Sequence, residues 1–344
     1  MSGKQGFKCL LLGYGHIGKR HAAVIAEHPE TELSGIADLT DVRSVAGYPS
    51  DIPWYPSWKD ALANSGGHDL VIIALPNGEH IPAALAALKS GYHVLIEKPM
   101  GLTALSCQQV LELAEQQKKQ VFVVKQNRYS PQVQWLKDLV DSGKMGKIHM
   151  IQVNCFWNRD DRYYLQQGHP WRGKLTSDGG VLFTQFSHFI DILYWIFGPL
   201  TVESAHMENL AHSTTTEFPD SGSFRFRTAG QALGFMQFST AVWNRNLESS
   251  ITILGDSGTI QLGGQYMDTV LHCHISDYIL PQIPSANPPN LYGNYSGSAA
   301  NHVQVLEQVV MALKGEKSAA TNGQEGMEVV RIIETVHRLA NHPI

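Results

Sequence analysis

A short apolar run, Phe7 to Leu12, ends abruptly in Gly13-Tyr14-Gly15-His16-Ile17-Gly18 and gives way to a helix-forming segment, Lys19 to Glu27. Strand, glycine turn and helix in this order leave few architectures open. Gly13 permits the tight turn, Gly15 lets backbone approach a pyrophosphate, and Gly18 lets the helix lie against its strand, with free amides facing the phosphates. His16 and Ile17 belong to the same turn and are expected beside the cofactor. A Gly-x-Gly-x-x-Gly motif alone is weak, but a second strand, Glu32 to Ala37, ends at Asp38, twenty residues past Gly18. An acid there holds a ribose diol and repels a 2′-phosphate, which favours NAD over NADP; Arg43, a few residues later, keeps NADP open.

The alternation continues through a strand at Asp69 to Leu75, a Pro76-Asn77-Gly78 turn, a helix from Ile81 to Ser90, and strands at Tyr92 to Ile96 and Val121 to Val124. It predicts a doubly wound parallel sheet over residues 1–124. Ligands of such sheets sit beyond the carboxyl ends of the strands, where Gly13, Pro76, Asn77 and Glu97-Lys98-Pro99 all fall. Pro99 restricts the backbone of Lys98 to extended conformations. A lysine held partly desolvated beside a nicotinamide shares or loses its proton near neutral pH; the alternative is an exposed loop lysine. His80 and His93 are read as structural or cofactor-adjacent.

At 344 residues the chain suits two domains. The second, residues 125–344, is expected to combine a helix from Gln132 to Asp141 with strands near Lys147–Asn158, Thr201–Glu208, Ser221–Arg227, Gln231–Thr240, Glu248–Leu254 and Thr259–Leu262. Pro281 to Ser298 reads as a loop, followed by helices near Asn301–Lys314 and Gly326–Asn341. The run Gly179 to Gly198 reads as one helix: at 100° per residue Thr184, His188 and Asp191 form a narrow polar stripe opposite Leu182, Phe186, Phe189, Ile190, Leu193, Ile196 and Phe197. Either His188 and Asp191 are satisfied polar groups of a core, or they do chemistry. Upstream, Arg159, Arg162 and Arg172 lie among Trp157, Tyr163, Tyr164 and Trp171. Guanidinium forks with aromatic faces suit a carboxylate or diphosphate with a stacked sugar or base; the alternative is surface pairing with Asp160 and Asp161.

A formal charge of −5 without a basic block disfavours nucleic acid and anionic membranes. The opening apolar run is too short for a signal sequence or a membrane span, so a cytoplasmic protein is expected. Cys9, Cys107, Cys155 and Cys273 show no Cys-x-x-Cys spacing. His272 and His274 share a strand face but lack a third ligand, and no metal is expected.

The glycine turn, the Glu97-Lys98-Pro99 triplet, and His188 with Asp191 three residues on together resemble the glucose-fructose oxidoreductase and inositol dehydrogenase family, Gfo/Idh/MocA. The resemblance implies a Rossmann domain followed by an α+β domain with an open, mostly antiparallel sheet. That sheet commonly makes a homo-oligomer interface, in a dimer or tetramer, and the last helix returns to the first domain. It also implies that Lys98 and His188 flank the reacting carbinol. His188 is the preferred base and Lys98 the group that holds the developing alkoxide, with the roles exchangeable and Asp191 orienting the site. A finer resemblance lies in KQNRY from Lys125, NCFWNRDDRYY from Asn154, WRG from Trp171, and DGG followed by Gln185 and Ser187-His188. These are similar to the branch that oxidises the 3-hydroxyl of UDP-N-acetylglucosaminuronate for surface-polysaccharide sugars. By that resemblance Gln126 and Glu97 serve the cofactor, while Asn127, Arg128, Arg159, Tyr163, Tyr164, Trp171, Arg172, Thr184, Gln185 and His188 serve the substrate. The branch carries Asn at the position of Thr184 and a small residue at that of Phe186, so the pocket is expected to differ there. A free sugar or inositol is the alternative substrate, and a non-catalytic NAD(P)-binding regulator the alternative of another class. A keto acid such as 2-oxoglutarate is a candidate cosubstrate for recycling bound NAD.

Overall fold

In the computed structural model, which describes residues 6–342 apart from 46, 47, 50, 65, 293 and 294, the first apolar run forms β1 (Phe7–Leu12). Cys9, Leu10, Leu11 and Leu12 are all fully buried, as in a strand covered on both faces. Helix α1 (His16–Glu27) opens inside the glycine motif rather than at Lys19, since Gly15 O already accepts the Lys19 amide at 2.9 Å. Then come β2 (Thr31–Ala37), β3 (Trp54–Tyr55), α2 (Trp58–Asn64), β4 (Leu70–Ile73), α3 (His80–Lys89), β5 (His93–Ile96), α4 (Ala104–Gln116) and β6 (Val121–Val123). The strands pair in parallel in the order β3-β2-β1-β4-β5-β6. This is a Rossmann sheet, and its order reverses beside β1, which sets the ligand crevice outside the carboxyl ends of β1 and β4.

The next segment holds α5 (Pro131–Asp141), β7 (Ile148–Phe156), α6 (Asp161–Tyr164), α7 (Val181–Thr184), α8 (Ser187–Phe197), β8 (Leu200–Glu208), β9 (Ser221–Thr228), β10 (Leu233–Ser239), β11 (Glu248–Gly255), β12 (Gly258–Gly263), β13 (Thr269–Ile275), β14 (Pro289–Tyr292) and β15 (Tyr295–Ala299). Seven strands make an open sheet ordered β13-β12-β11-β7-β10-β9-β8, antiparallel except for β7 with β10. Alternate residues on its inner face, among them Ile151, Val153, Phe226, Met236, Ile253 and Leu262, are fully buried. Phe189 of α8 packs edge-on to Trp157 at 5.7 Å and Phe186 meets Phe238 at 5.9 Å, so this helix covers the sheet.

Two expectations need correction. The run from Gly179 to Gly198 is not one helix: Phe186 N bonds to Val181 O, five residues back, and the regular ladder resumes only in α8. Side-chain bonds made by Thr184 and Gln185, described below, compete with a continuous ladder at that point. The Pro281–Ser298 stretch is not wholly loop, because β14 and β15 pair antiparallel within it.

The chain ends in α9 (His302–Leu313) and α10 (Gly323–Leu339). One compact unit runs to Val124 and takes in His302–Val330; the other holds Lys125–Asn301 and the chain from Arg331. The partition departs from a single cut after residue 124. Helix α9 contacts α1, the Val123 amide bonds to Thr321 O at 3.0 Å, and Phe122 bridges to Asn322. Among the described residues no helix is long and apolar enough to cross a membrane.

Candidate active site

In the first unit, two glycines are fixed by close backbone approach. A Cβ on Gly13, at φ +94°, would lie 2.4 Å from Ala74 O, and one on Gly18 would lie 2.0 Å from Gly13 O. Gly15 and His16 are exposed and Ile17 is half-buried. A Cβ on Gly15 would meet nothing within 4 Å, so the chain itself demands no glycine there, whereas a pyrophosphate lying against it would. No acidic residue stands in the first turn of α1, which leaves its amides electrostatically open to an anion. Asp38 follows β2 and accepts the Tyr14 amide at 2.8 Å and the Thr40 amide at 2.9 Å, tying the acid to the glycine turn. Arg43 closes a fork on Asp41 at 2.9 and 2.6 Å, which engages the guanidinium that would otherwise serve a 2′-phosphate. These residues fit NAD: Gly13 and Gly18 close the turn, Gly15 leaves open space where the pyrophosphate would lie, and Asp38 stands where the ribose diol would be held.

Pro76 and buried Asn77 open a single 3-10 turn after β4. His80, expected near the cofactor, is buried and turned between two main-chain carbonyls, Nδ1 to Pro99 O at 2.7 Å and Nε2 to Leu75 O at 2.9 Å. Burial pushes its imidazole below the usual range, against the upward pull of those two bonds. Lys98, directly after the end of β5, is half-buried. Its neighbour Glu97 is buried, and its carboxylate takes the His21 Nε2 at 2.9 Å and the Lys98 amide at 3.2 Å. Glu97, expected at the cofactor, is thus engaged within the protein.

In the second unit, α8 carries His188 and Asp191 one turn apart, and both are buried. The Asp191 carboxylate accepts a bidentate fork from Arg128 at 2.9 and 2.7 Å, with Lys125 Nζ at 3.8 Å. Two buried cations thus face one carboxylate. Arg128, expected at the substrate, turns its guanidinium to Asp191 and also stacks over Trp195 at 5.5 Å. Gln126 and Asn127 lie in a single turn just before α5. Asn127 Oδ1 accepts from Ser298, yet the Asn127 Nδ2 and Gln126 Oε1 atoms are buried without a hydrogen-bond partner among the described residues. A buried amide atom left unmet is costly, which marks both as sites for an incoming polar group.

Gln185 is spent at both ends: Oε1 accepts Arg159 Nε and Nε2 donates to the Tyr163 hydroxyl, each at 2.9 Å. Arg159 is buried and caged by Trp157, Tyr163 and Tyr295 at 5.0 to 5.4 Å. Arg172 stacks over Tyr163 at 4.1 Å and donates to Tyr163 O at 3.1 Å, with Trp171 adjoining at 5.7 Å. Tyr164 is buried, edge-on to Tyr163, and burial pushes both phenols up. Arg162 takes the surface alternative. Its bond to Asp160, 2.6 Å long, holds that carboxyl at about 2. The Thr184 hydroxyl bonds to the buried Asp178 carboxylate, which also takes the Gly173 amide at 2.9 Å. Phe186 is fully buried against Trp157 and Phe238, so the bulky residue belongs to the packing under the sheet.

Sequence reasoning passed over Asp178, although it opens the DGG motif, and over His21, one helical turn past Gly18. It had no signal for His302, whose Nε2 lies 3.5 Å from Glu97 but which is far away in the chain. His272 and His274 join no three-ligand group among the described residues; the cluster that does is His21, Glu97 and His302.

Comparison with known proteins follows the same division. Residues 7–125 match the family described as "Oxidoreductase family, NAD-binding Rossmann fold", and residues 133–261 match "GFO/IDH/MocA C-terminal domain". The crystal structure of the WlbA dehydrogenase from Bordetella pertussis, in complex with NADH and UDP-GlcNAcA, is similar with a TM-score of 0.86 and 29% identity, covering 98% of this chain and 97% of that one. The oxidoreductase YdgJ of Escherichia coli is 30% identical over 208 residues, 59% of this chain and 58% of its own. Inositol 2-dehydrogenase of Salmonella typhimurium is 29% identical over 195 residues, 55% of this chain and 54% of its own. The matches thus span little more than half the length of these curated relatives.

Proposed function

Because the chain belongs to the GFO/IDH/MocA oxidoreductase family, we propose that it is an NAD-dependent dehydrogenase of a sugar secondary hydroxyl, the 3-hydroxyl of UDP-N-acetylglucosaminuronate. The observation that carries this reading is Lys98, half-buried directly after β5 on a Rossmann sheet whose glycine turn excludes side chains. The likeness to WlbA with UDP-GlcNAcA supports the nucleotide sugar. NAD, when bound, supplies the hydride acceptor. His188 takes the proton of the hydroxyl, and Lys98 donates a hydrogen bond to the same oxygen as negative charge develops on it. Asp191 holds Arg128 and Lys125 in place on the His188 side. The unmet amides of Gln126 and Asn127 are assigned to cofactor and substrate.

A free cyclitol is the second reading, favoured by the likeness to inositol 2-dehydrogenase. The test is NADH absorbance on mixing protein and NAD with UDP-N-acetylglucosaminuronate or with inositol, with and without 2-oxoglutarate. Keto product from the nucleotide sugar is expected, and inositol turnover alone overturns the substrate assignment. A need for 2-oxoglutarate identifies recycling of bound cofactor. Lys98→Met is expected to lower turnover by about 10²-fold or more while sparing NAD binding; near-normal turnover overturns the role of Lys98.

A further inference from the structure

Glu97 and Lys98 leave β5 consecutively, and neighbouring side chains of an extended chain point to opposite sides. Lys98 is half-buried, whereas Glu97 is 5% exposed and His21 and His302 are 2% and 1% exposed. One carboxylate oxygen of Glu97 meets His21 Nε2 of α1 at 2.9 Å and His302 Nε2 of α9 at 3.5 Å. The other accepts the Lys98 amide at 3.2 Å. The two imidazoles sit edge to face, 5.3 Å between centroids.

A carboxylate this deep in the protein is tolerable only with donors around it. Burial pushes the Glu97 carboxyl up, but the hydrogen bond from His21 and the His302 imidazole beside it outweigh that and hold the group well below the usual range. The anion is therefore fastened to α1, which begins at the glycine turn, and lies beside His302 of α9. On the other side of Lys98, Pro99 O is held by His80 at 2.7 Å. The peptide that carries Lys98 is thus tied down on both flanks.

We infer that Glu97, anchored by His21 with His302 packed beside it, is a positioning residue that fixes the backbone of Lys98 relative to the cofactor turn. The inference rests on the role proposed for Lys98. Misplacing a reacting group by about 1 Å costs about 10²-fold in rate, so the effect belongs in kcat and not in cofactor affinity. The three donors lie within 4.8 Å of one another, a spacing that also suits a divalent cation. The 2.9 Å bond between His21 and Glu97 already pairs two of them without one.

The test compares kcat, the KM for NAD, NAD affinity, melting temperature and metal content across Glu97→Gln, His21→Leu, His21→Gln and Lys98→Met. Glu97→Gln and His21→Leu are expected to lower kcat at least about tenfold with NAD affinity within about twofold. His21→Gln, whose amide reaches where Nε2 sits, is expected to recover kcat to within about threefold of the parent. Normal kcat in His21→Leu, with Lys98→Met inactive, overturns the positioning role and leaves the proposed activity standing. An active Lys98→Met overturns both. Losses in kcat that track lost NAD affinity, with no rescue by Gln, reduce the cluster to a structural one and overturn the inference. Stoichiometric metal in the parent that is lost from His21→Leu overturns it in favour of a metal site.

Discussion

Asp191 is the residue whose surroundings change most when the chain is seen in three dimensions. It is 1% exposed and closes a bidentate fork with Arg128, itself 3% exposed. Removing one partner of a buried pair strands the other charge, so Asp191→Asn is expected to cost about 3–5 kcal/mol in urea unfolding; a loss below about 1 kcal/mol contradicts the pairing. The polar stripe in the sequence marked Asp191 as hidden, but its partner lies 63 positions away and no periodicity points to it. The place of Lys98, half-buried just past a strand end, was legible because the strand and the following proline are local in the chain. The fork of Arg128 and the bonds of Thr184 to Asp178 were not, since both depend on which loops fold back beside them.

At the level of elements, sequence pattern located most strands of the two large sheets, missed β3, β14 and β15, and misjudged where helices stop. An unbroken apolar face from Leu182 to Phe197 reads as one helix, yet α7 and α8 are separate because Thr184 and Gln185 spend their side chains on Asp178, Arg159 and Tyr163. Helix α4 was missed despite its Thr103 cap, whose hydroxyl accepts the Ser106 amide at 3.2 Å. Phe186 decides between packing and pocket. Its ring fills space between Trp157 and Phe238, so Phe186→Ala is expected to cost about 3–5 kcal/mol of stability while KM for the sugar stays within about twofold. A large KM change without loss of stability would show that the ring lines the substrate site. Gly18→Ala, which sets a methyl against Gly13 O at 2.0 Å, is expected to abolish NAD binding in a fluorescence titration.

For the molecule as a whole, the parallel sheet was legible from the alternation of strands and helices and the antiparallel one through the family resemblance, whereas the return of α9 to α1 was not, because nothing in a helix's own sequence names the surface it meets. Acid sensitivity is a property of the whole fold. His337 of α10 is 2% exposed, and burial pulls its imidazole down to about 4 from 6.5. A depressed histidine favours the neutral fold: its contribution is fully present above pH 6.5 and is lost as pH falls toward 4. About 3 kcal/mol should disappear across that window, and His337→Leu should flatten the slope of melting temperature against pH; an unchanged slope contradicts the assignment. The central claim, that this fold removes hydride from a sugar carbinol, is tested most directly with UDP-N-acetylglucosaminuronate bearing deuterium at C3. The account predicts that the deuterium leaves C3 and is recovered in NADH, or in 2-hydroxyglutarate when 2-oxoglutarate is supplied, alongside a 3-keto product. Retention of the deuterium at C3 by a protein that demonstrably binds both NAD and the nucleotide sugar would contradict it.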